Sequence, residues 1–203
     1  MSQLSHRINY TVQWKTERFF REDSSWSKAA LAKLRRGIGK ELGEIPELLE
    51  YILLDLPDEI SESKDTERAE MAIYSALTLF AFHQQGKKRF MGIEKTEDKK
   101  RKSFGHAVRR LVQINPSNET AVKRRFDKIL SSSDLKELSV HARGIIGLLK
   151  AADISLDYAT FTEDLYHFQI PGWKRNVILR WAQDYFRTNN NTPKQGEEND
   201  EKK

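Results

Sequence analysis

The side chains that could perform acid–base or metal chemistry are few and widely spaced in this sequence. The histidines are His6, His83, His106, His141 and His167, and no two of them lie four residues apart. Helical metal sites often take two ligands at that spacing, so the pattern favours surface or core histidines. The chain has no cysteine, which excludes disulfides, thiolate nucleophiles and most structural zinc sites. We therefore predict no metal site and no cofactor.

One pair of carboxylates could support an enzyme. Asp157 and Asp164 lie two turns apart on one predicted helix, and two carboxylates can do acid–base work. A helix cap and a solvated side chain explain them better. The segment Gly37-Ile38-Gly39 is only a fragment of a phosphate-binding loop, and the end of a helix explains it. We predict that the chain is not an enzyme, with a metal-dependent nuclease as a distant alternative.

Phosphate binding is the chemistry that the basic residues predict. The formal net charge is +5, and ten basic residues lie between Lys87 and Arg110. Further clusters recur on predicted helices, two of them beginning at His106 and His141. Arginine binds phosphate oxygens through paired hydrogen bonds, and dispersed positive charge attracts a polyanion. The candidate nucleic-acid-binding residues are Lys33, Arg35, Arg36, Lys87, Lys88, Arg109, Arg110, Lys123, Arg124, Arg125, Arg143, Lys174, Arg175 and Arg180.

Each basic cluster alone is typical of a solvated surface, and only their number favours a binding function. The sequence has no recognition-helix motif, RRM signature or zinc finger, so we predict contacts to phosphates without base preference. Residues 41–70 carry eleven acidic side chains against Lys64 and Arg68. Separate acidic and basic faces would also suit a scaffold protein that contacts charged partner proteins, which is the main alternative.

Helical periodicity dominates the sequence, and no alternating strand pattern of convincing length is present. The clearest helix spans residues 65–85, with acidic first turns and Gly86 after its end. Residues 87–102 lack an apolar period and predict a mobile loop. We predict a compact all-α fold of about nine helices. A division falls at this loop or at Asn115-Pro116, and the polar residues 189–203 predict a disordered tail.

Local signals predict where several helices begin. The typical N-terminal caps are Ser24 or Ser25, Ser103, and Asp134 with Glu137.

The longest apolar-leaning stretch, residues 71–82, is shorter than the roughly 20 residues that a membrane span needs. The first residues contain no apolar region typical of a secretory signal. We therefore expect a cytoplasmic protein without membrane contact.

Besides contacts of basic residues to phosphates, aromatic side chains can bind nucleic acid by stacking on unpaired bases. The tryptophans Trp14, Trp26, Trp173 and Trp181 lie at helical spacing with other apolar residues, so we predict core positions for them. Phe90 follows Arg89 in the predicted loop and is the better candidate for stacking.

The order of several segments resembles the CasB family, the small subunit of the type I-E CRISPR surveillance complex, Cascade. In the C-terminal half these segments are AVKRRFDKIL, SDLKELSVHARGIIGLLKA, LDYATFTEDLYHF and VILRWAQDYF. Three N-terminal features agree: Trp26 upstream of KLRR, a long helix ending in QQGKK, and a polar basic loop before FGHAVRRL. The resemblance covers roughly residues 10–187, and the ordered set is more specific than any single motif.

The resemblance implies two small packed helical bundles, here over residues 1–102 and 103–188, and no catalytic activity. It implies a second copy of the chain, a large subunit and guide-RNA backbone subunits as partners. It also implies a role in holding the displaced, single-stranded non-target DNA and so stabilising the R-loop. The family's basic positions fall here at Arg35, Arg36, Arg109, Arg110, Arg124, Arg125, Arg143, Lys174, Arg175 and Arg180.

Three features depart from the family pattern. His106 and His141 stand where the family often has arginine, and a neutral histidine supplies no positive charge at pH 7. The loop over residues 87–102 is longer and more basic than the family pattern. The acidic residues 41–70 are also unusual, and they could face either basic backbone subunits or water.

Overall fold

The structure is a computed structural model that describes residues 3–22, 24–94 and 102–187. Within these residues every regular element is helical, which confirms the all-α prediction. The α-helices are α1 (Gln3–Arg21), α2 (Ser25–Leu34), α3 (Leu49–Leu53), α4 (Asp58–Ser61), α5 (Thr66–Gln84), α6 (Phe104–Ile114), α7 (Glu119–Leu130), α8 (Leu135–Ala151), α9 (Tyr158–Phe168) and α10 (Pro171–Phe186). Short 3-10 turns span Arg35–Gly37, Pro46–Leu48 and Pro116–Asn118. No helix in the described ranges has the length and apolar character needed to cross a membrane.

Helix caps form where the sequence predicts them. The side chain of Ser24 accepts a hydrogen bond from the backbone N–H of Ser27 at the start of α2. Ser103 caps α6 in the same way, and the Asp134 carboxylate accepts from the N–H of Glu137 at 2.8 Å. Such caps contribute about 1 kcal/mol each because they satisfy helix N–H groups that have no partner within the helix. Among the helices of the described residues, the sequence did not reveal α4, which is too short to show a periodic pattern.

The helix α5 lies at the centre of the molecule and is buried on most of its faces. It packs against α1 and α2 on the N-terminal side of the chain and against α8 and α9 on the C-terminal side. Every residue from Ala72 to Ala81 is buried, which explains why this helix shows a long apolar stretch rather than one apolar stripe. Side chains from before and after residue 102 therefore belong to one hydrophobic core. The division into two bundles near residue 102 stays a prediction.

The helices α6 and α10 approach each other more closely than side chains would normally allow. Gly105 lies against the backbone carbonyl of Trp181, and a Cβ atom at residue 105 would collide with that oxygen. Beside this contact the indole of Trp181 is fully buried and lies 5.2 Å from the ring of Phe104 and 5.8 Å from that of Phe161. The glycine therefore permits the close approach of the two helices beside this aromatic cluster.

Residues 87–94 after α5 form a loop, as the sequence predicts, and hydrogen bonds tie this loop to the end of the helix. Gly86 has a φ of +73°, a conformation that glycine adopts without strain. The buried amide of Gln84 donates to the carbonyls of Lys87 at 3.0 Å and Arg89 at 2.8 Å, and it accepts from the N–H of Met91 at 2.9 Å. Met91 is fully buried, and its carbonyl accepts from the N–H of Leu156. The rest of the predicted loop, residues 95–101, and the predicted tail, residues 189–203, lie outside the described residues.

Candidate nucleic-acid interface

Exposed arginines lie on α7 and α8, two of the helices that carry predicted binding residues. Arg124, Arg125 and Arg143 are exposed, and none of them has an acidic partner in the part of the chain that the structure describes. The two helices pack against each other, and the Cδ atom of Arg125 lies beside Gly144 of α8. Arg125 and Arg143 are therefore neighbours in space although they lie far apart in the sequence. We call Arg124, Arg125, Arg143 and Lys150 the α7–α8 surface.

A half-buried phenylalanine supports two cations of this surface. The guanidinium carbon of Arg143 lies 5.2 Å from the ring centroid of Phe82, and Nζ of Lys150 lies 5.0 Å from it. Burial lowers the pKa of Lys150, and the neighbouring charges of Arg35 and Lys87 lower it further. Sequence reasoning missed Lys150, although it follows Arg143 by seven residues and so lies two turns further along the same helix face.

Three predicted residues, Arg35, Lys87 and Lys88, line a groove between α2 and the turn after α5, which we call the α2–α5 groove. Lys87 is partly held in place because its ammonium lies 2.6 Å from the Asp153 carboxylate. Lys88 is exposed, and no described residue forms an ion pair with it or with Arg35. The electrostatic effect of Arg35 and Lys87 on Lys150 indicates that the groove and the α7–α8 surface belong to one field of positive charge.

Other predicted residues carry charge that the protein itself partly neutralises. The ammonium of Lys33 lies 3.8 Å from the Glu47 carboxylate, and the guanidinium of Arg36 forms an ion pair with the same group. Lys123 lies 2.7 Å from Asp127. Part of the acidic segment, residues 41–70, therefore faces basic residues of this same chain. These pairs are exposed, so each stabilises the fold only slightly and a competing anion could replace the carboxylate.

The predicted binding residues of α6 and α10 differ in whether their charged groups already have partners within the described chain. Arg110 and Arg175 are exposed and have no ion pair with any residue of the described ranges. Arg109 lies 3.9 Å from Glu119, and its Nε atom is buried. Lys174 donates to the carbonyl of Ser133 at 2.9 Å, and Arg180 forms an ion pair with the buried carboxylate of Asp164. These last two side chains hold helices together, so their contribution to a binding surface is smaller than the sequence suggests.

Comparison with known proteins identifies the family. The family model for the CRISPR-associated protein Cse2 matches residues 30–186. The chain belongs to the Cse2 family, also called CasB. The matched range contains every predicted binding residue from Lys33 to Arg180, and the resemblance seen in the sequence is confirmed. Comparison with curated proteins gives no match.

Solved structures of Cse2/CasB proteins have the same fold. CasB from Thermobifida fusca is 29% identical, with a TM-score of 0.71 over 89% of this chain and 98% of that chain. A Cse2-family protein from Thermus thermophilus is 21% identical, with a TM-score of 0.61 over 92% of this chain and 99% of that chain. CasB from M. ruber is 20% identical, with a TM-score of 0.58 over 87% of this chain and 93% of that chain.

The two histidines that depart from the CasB pattern are half-buried, His106 on α6 and His141 on α8. Burial lowers the pKa of His106, and the positive charge of Lys102 lowers it further, so this imidazole is neutral at pH 7. The Nε2 atom of His141 lies 3.6 Å from the Glu137 carboxylate. His106 therefore does not supply the charge of the arginine that the resemblance places there, and His141 lies beside an acidic side chain of its own helix.

The carboxylates that could have supported an enzyme are used structurally in this Cse2 chain. Asp157 caps α9 by accepting from the N–H of Thr160 at 2.9 Å. The buried Asp164 carboxylate accepts from the indole N–H of Trp181 at 2.5 Å and pairs with Arg180. Within the described ranges, no group of three or more potential metal ligands comes together. The bonds of Asp157 and Asp164 favour a structural role for both.

The prediction that all four tryptophans belong to the core is correct for Trp181 and wrong for Trp14 and Trp173. Trp181 is fully buried and Trp26 is half-buried, whereas Trp14 is 38% exposed and Trp173 is 49% exposed. Trp173 stacks on His167 at 5.0 Å between ring centroids. Phe90 is not the exposed stacking residue that the sequence suggested. Its ring is half-buried, 5.4 Å from Phe20 and 5.8 Å from Phe80.

Proposed function

We propose that this chain is a non-enzymatic subunit of a type I-E Cascade complex in the cytoplasm, and that it holds the displaced non-target DNA strand. The observation that carries the proposal is the α7–α8 surface. Arginines without acidic partners among the described residues lie there on two helices that pack against each other. The large subunit, the guide-RNA backbone subunits and a second copy of the chain would be its partners in the complex.

The proposed contacts suit a strand whose sequence changes with each target. A guanidinium recognises the charge and shape of a phosphate, which every nucleotide shares. The charges are spread over helix surfaces rather than gathered in a deep pocket, so several consecutive phosphates could bind at once. R-loop formation is nearly balanced in free energy, and modest contacts to the displaced strand would shift that balance toward the open state.

The proposal predicts a measurable dependence on salt. If three or four phosphates are neutralised, the logarithm of the binding constant for a single strand should fall against the logarithm of salt concentration with a slope of about −2 to −3. The measurement is fluorescence anisotropy with a labelled single strand, and R-loop lifetime in the assembled complex provides a second reading. A flat salt dependence in both assays would contradict the proposal.

A charge-matched pair of variants tests the location of the contacts. The double variant Arg124→Gln, Arg125→Gln should reduce the salt slope by about 1 to 1.5 and weaken binding to all sequences alike. The control variant Lys40→Gln, Lys136→Gln removes the same charge from two lysines that pair with Glu44 and Glu41. It should change the slope little. Equal effects of the two variants would show that only net charge matters.

A scaffold role without nucleic-acid contact is the second candidate function. Five acidic side chains of the segment 41–70 are exposed or half-buried and have no ion pair with the described residues: Glu50, Asp58, Glu62, Glu67 and Glu70. They would suit a basic partner protein. In that case the variant Arg124→Gln, Arg125→Gln would assemble into the complex and leave R-loop lifetime unchanged.

A further inference from the structure

The α2–α5 groove differs from the α7–α8 surface because it is a concave site with apolar walls. Its volume is about 810 Å³, within the range of small-molecule and cofactor sites. The residues that line it come from the end of α1, from α2, and from the turn after α5. Five of them are basic: Arg21, Lys28, Arg35, Lys87 and Lys88. None of the lining residues, all of which lie in the described ranges, is acidic.

The apolar walls consist of side chains that water can still reach. Phe20 and Leu31 are half-buried where they line the groove, and Phe19 lies deeper, with 4% of its surface exposed. The ring of Phe20 rests on Phe90, which rests in turn on Phe80 of α5. These tilted and edge-on ring contacts position Phe20 and leave its side chain half-exposed. A flat, apolar ligand surface would gain free energy by displacing water from these side chains.

The charged rim of the groove is held in place before any ligand binds. The three hydrogen bonds of Gln84 fix the backbone from Lys87 to Met91, and Asp153 holds the Lys87 ammonium at 2.6 Å. Arg21 pairs with Glu17 at 3.4 Å and with Glu94 at 3.5 Å. The exposed Lys88 and the half-buried Arg35 have no such partner among the described residues. They are the cations that an incoming anion would meet.

We infer that the α2–α5 groove receives one base of the bound single strand, while Arg35 and Lys88 bind the phosphates next to that base. This deepens the proposed function and rests on it. A base offers two flat faces that can stack on the Phe20 ring, and it is always joined to a phosphate on each side. An acidic peptide without aromatic side chains would satisfy the cations but would leave the apolar walls without a flat partner.

Abasic substitution in the displaced strand tests this inference directly. In the assembled complex the pairing of guide and target fixes the register of the displaced strand, so an abasic site can be placed at each position in turn. One position, or one per copy of the chain, should shorten R-loop lifetime about tenfold because a single stacking contact is lost there. The remaining positions should have little effect. A uniform response along the strand would overturn the inference.

Variants of the groove assign the sensitive position. The abasic effect should disappear in Arg35→Gln, Lys88→Gln, because the flanking phosphates no longer hold the base at the groove. It should also disappear in Leu31→Asp, because a carboxylate then stands in the apolar wall. Leu31 is half-buried rather than part of the fully buried core, so the second variant should fold, and thermal melting checks that. If Leu31→Asp melts at a clearly lower temperature, its loss of the abasic effect does not count as support. The result for Arg35→Gln, Lys88→Gln then decides whether the groove is the site.

Photo-crosslinking gives a reading that needs no assembled complex. The full chain is irradiated with a single strand that carries 5-iododeoxyuridine, and the crosslinked peptide is identified by mass spectrometry. A base in the groove should crosslink to the peptide that contains Phe20. Crosslinks only to peptides of α7 and α8 would overturn the base site and leave the proposed strand binding intact.

Two further outcomes separate the inference from its alternatives. If the groove holds an acidic segment of a partner protein, Arg35→Gln, Lys88→Gln would lower co-purification of a subunit, and no abasic position would be sensitive. If the chain does not bind the strand at all, single-strand binding would show no salt dependence, and no abasic position would change R-loop lifetime. The first outcome refutes the base site alone, and the second refutes the proposed function with it.

Discussion

Gln84 is the residue whose removal should show most clearly how the basic rim is held in place. Its side chain is only 5% exposed, and it satisfies the carbonyls of Lys87 and Arg89 and the N–H of Met91. In Gln84→Ala these three backbone groups lose their partner. Water can reach some of them, so we assign about 1 kcal/mol to each and expect a loss of about 3 kcal/mol in the free energy of unfolding. For a chain of this size, that corresponds to a melting temperature lower by about 6–12 °C.

Thermal melting followed by circular dichroism measures this loss, and hydrogen exchange locates it. The amide of Met91, which Gln84 binds, should exchange faster in the variant than in the unaltered protein. The neighbouring variant Gln85→Ala is the matched control, because the Gln85 side chain is exposed and, among the described residues, accepts a single hydrogen bond, from Lys150 at 3.3 Å. If Gln84→Ala melts within 1 °C of the control and the Met91 amide stays protected, the turn is held by other contacts and the reasoning is refuted.

Two further predictions concern charge. Burial lowers the pKa of Lys15 to about 8, and its ammonium donates to the carbonyls of Tyr51 at 3.2 Å and Leu54 at 2.5 Å. The unfolded chain, whose lysine pKa is 10.5, holds this proton more tightly than the folded state does, so the free energy of unfolding should rise from pH 8 toward pH 10. Denaturant titration measures this rise, which should be absent in Lys15→Met. Glu47→Gln frees Lys33 and Arg36, so it should tighten single-strand binding severalfold at low salt, with the gain fading as salt screens the charges. Unchanged anisotropy for Glu47→Gln at low salt would show that these cations do not contact the strand.

The helices and their caps could be predicted because their signals are local. Ser103 and Asp134 bind backbone groups three residues away, so a short stretch of sequence contains both partners. The long apolar stretch of α5 predicts burial without needing to say what covers it. The same reasoning fails for Trp14 and Trp173, because helical spacing shows that residues share a face but not whether another helix packs there.

The composition of the basic surface depends on contacts that the sequence does not show. Lys33 and Arg36 are separated from Glu47 by more than ten residues, and only the folded chain reveals that their charge is shared with it. Lys150 joins the surface through Phe82, which belongs to another helix. The sequence shows which segments are basic. Only the tertiary structure shows which of their cations are paired with distant acidic residues.

The position of α5 also has a consequence for how the chain is made. Thr66–Gln84 emerges from the ribosome before α8 and α9 exist, yet these two helices cover much of its surface. At a synthesis rate of about 5–20 residues per second, the roughly 80 residues between Gln84 and Phe168 take about 4–16 seconds to make. During that interval the faces of α5 that α8 and α9 later cover have no permanent partner. Nascent chains stopped before α9 should therefore bind chaperones or aggregate, and full-length chains should escape both once Phe168 has been released.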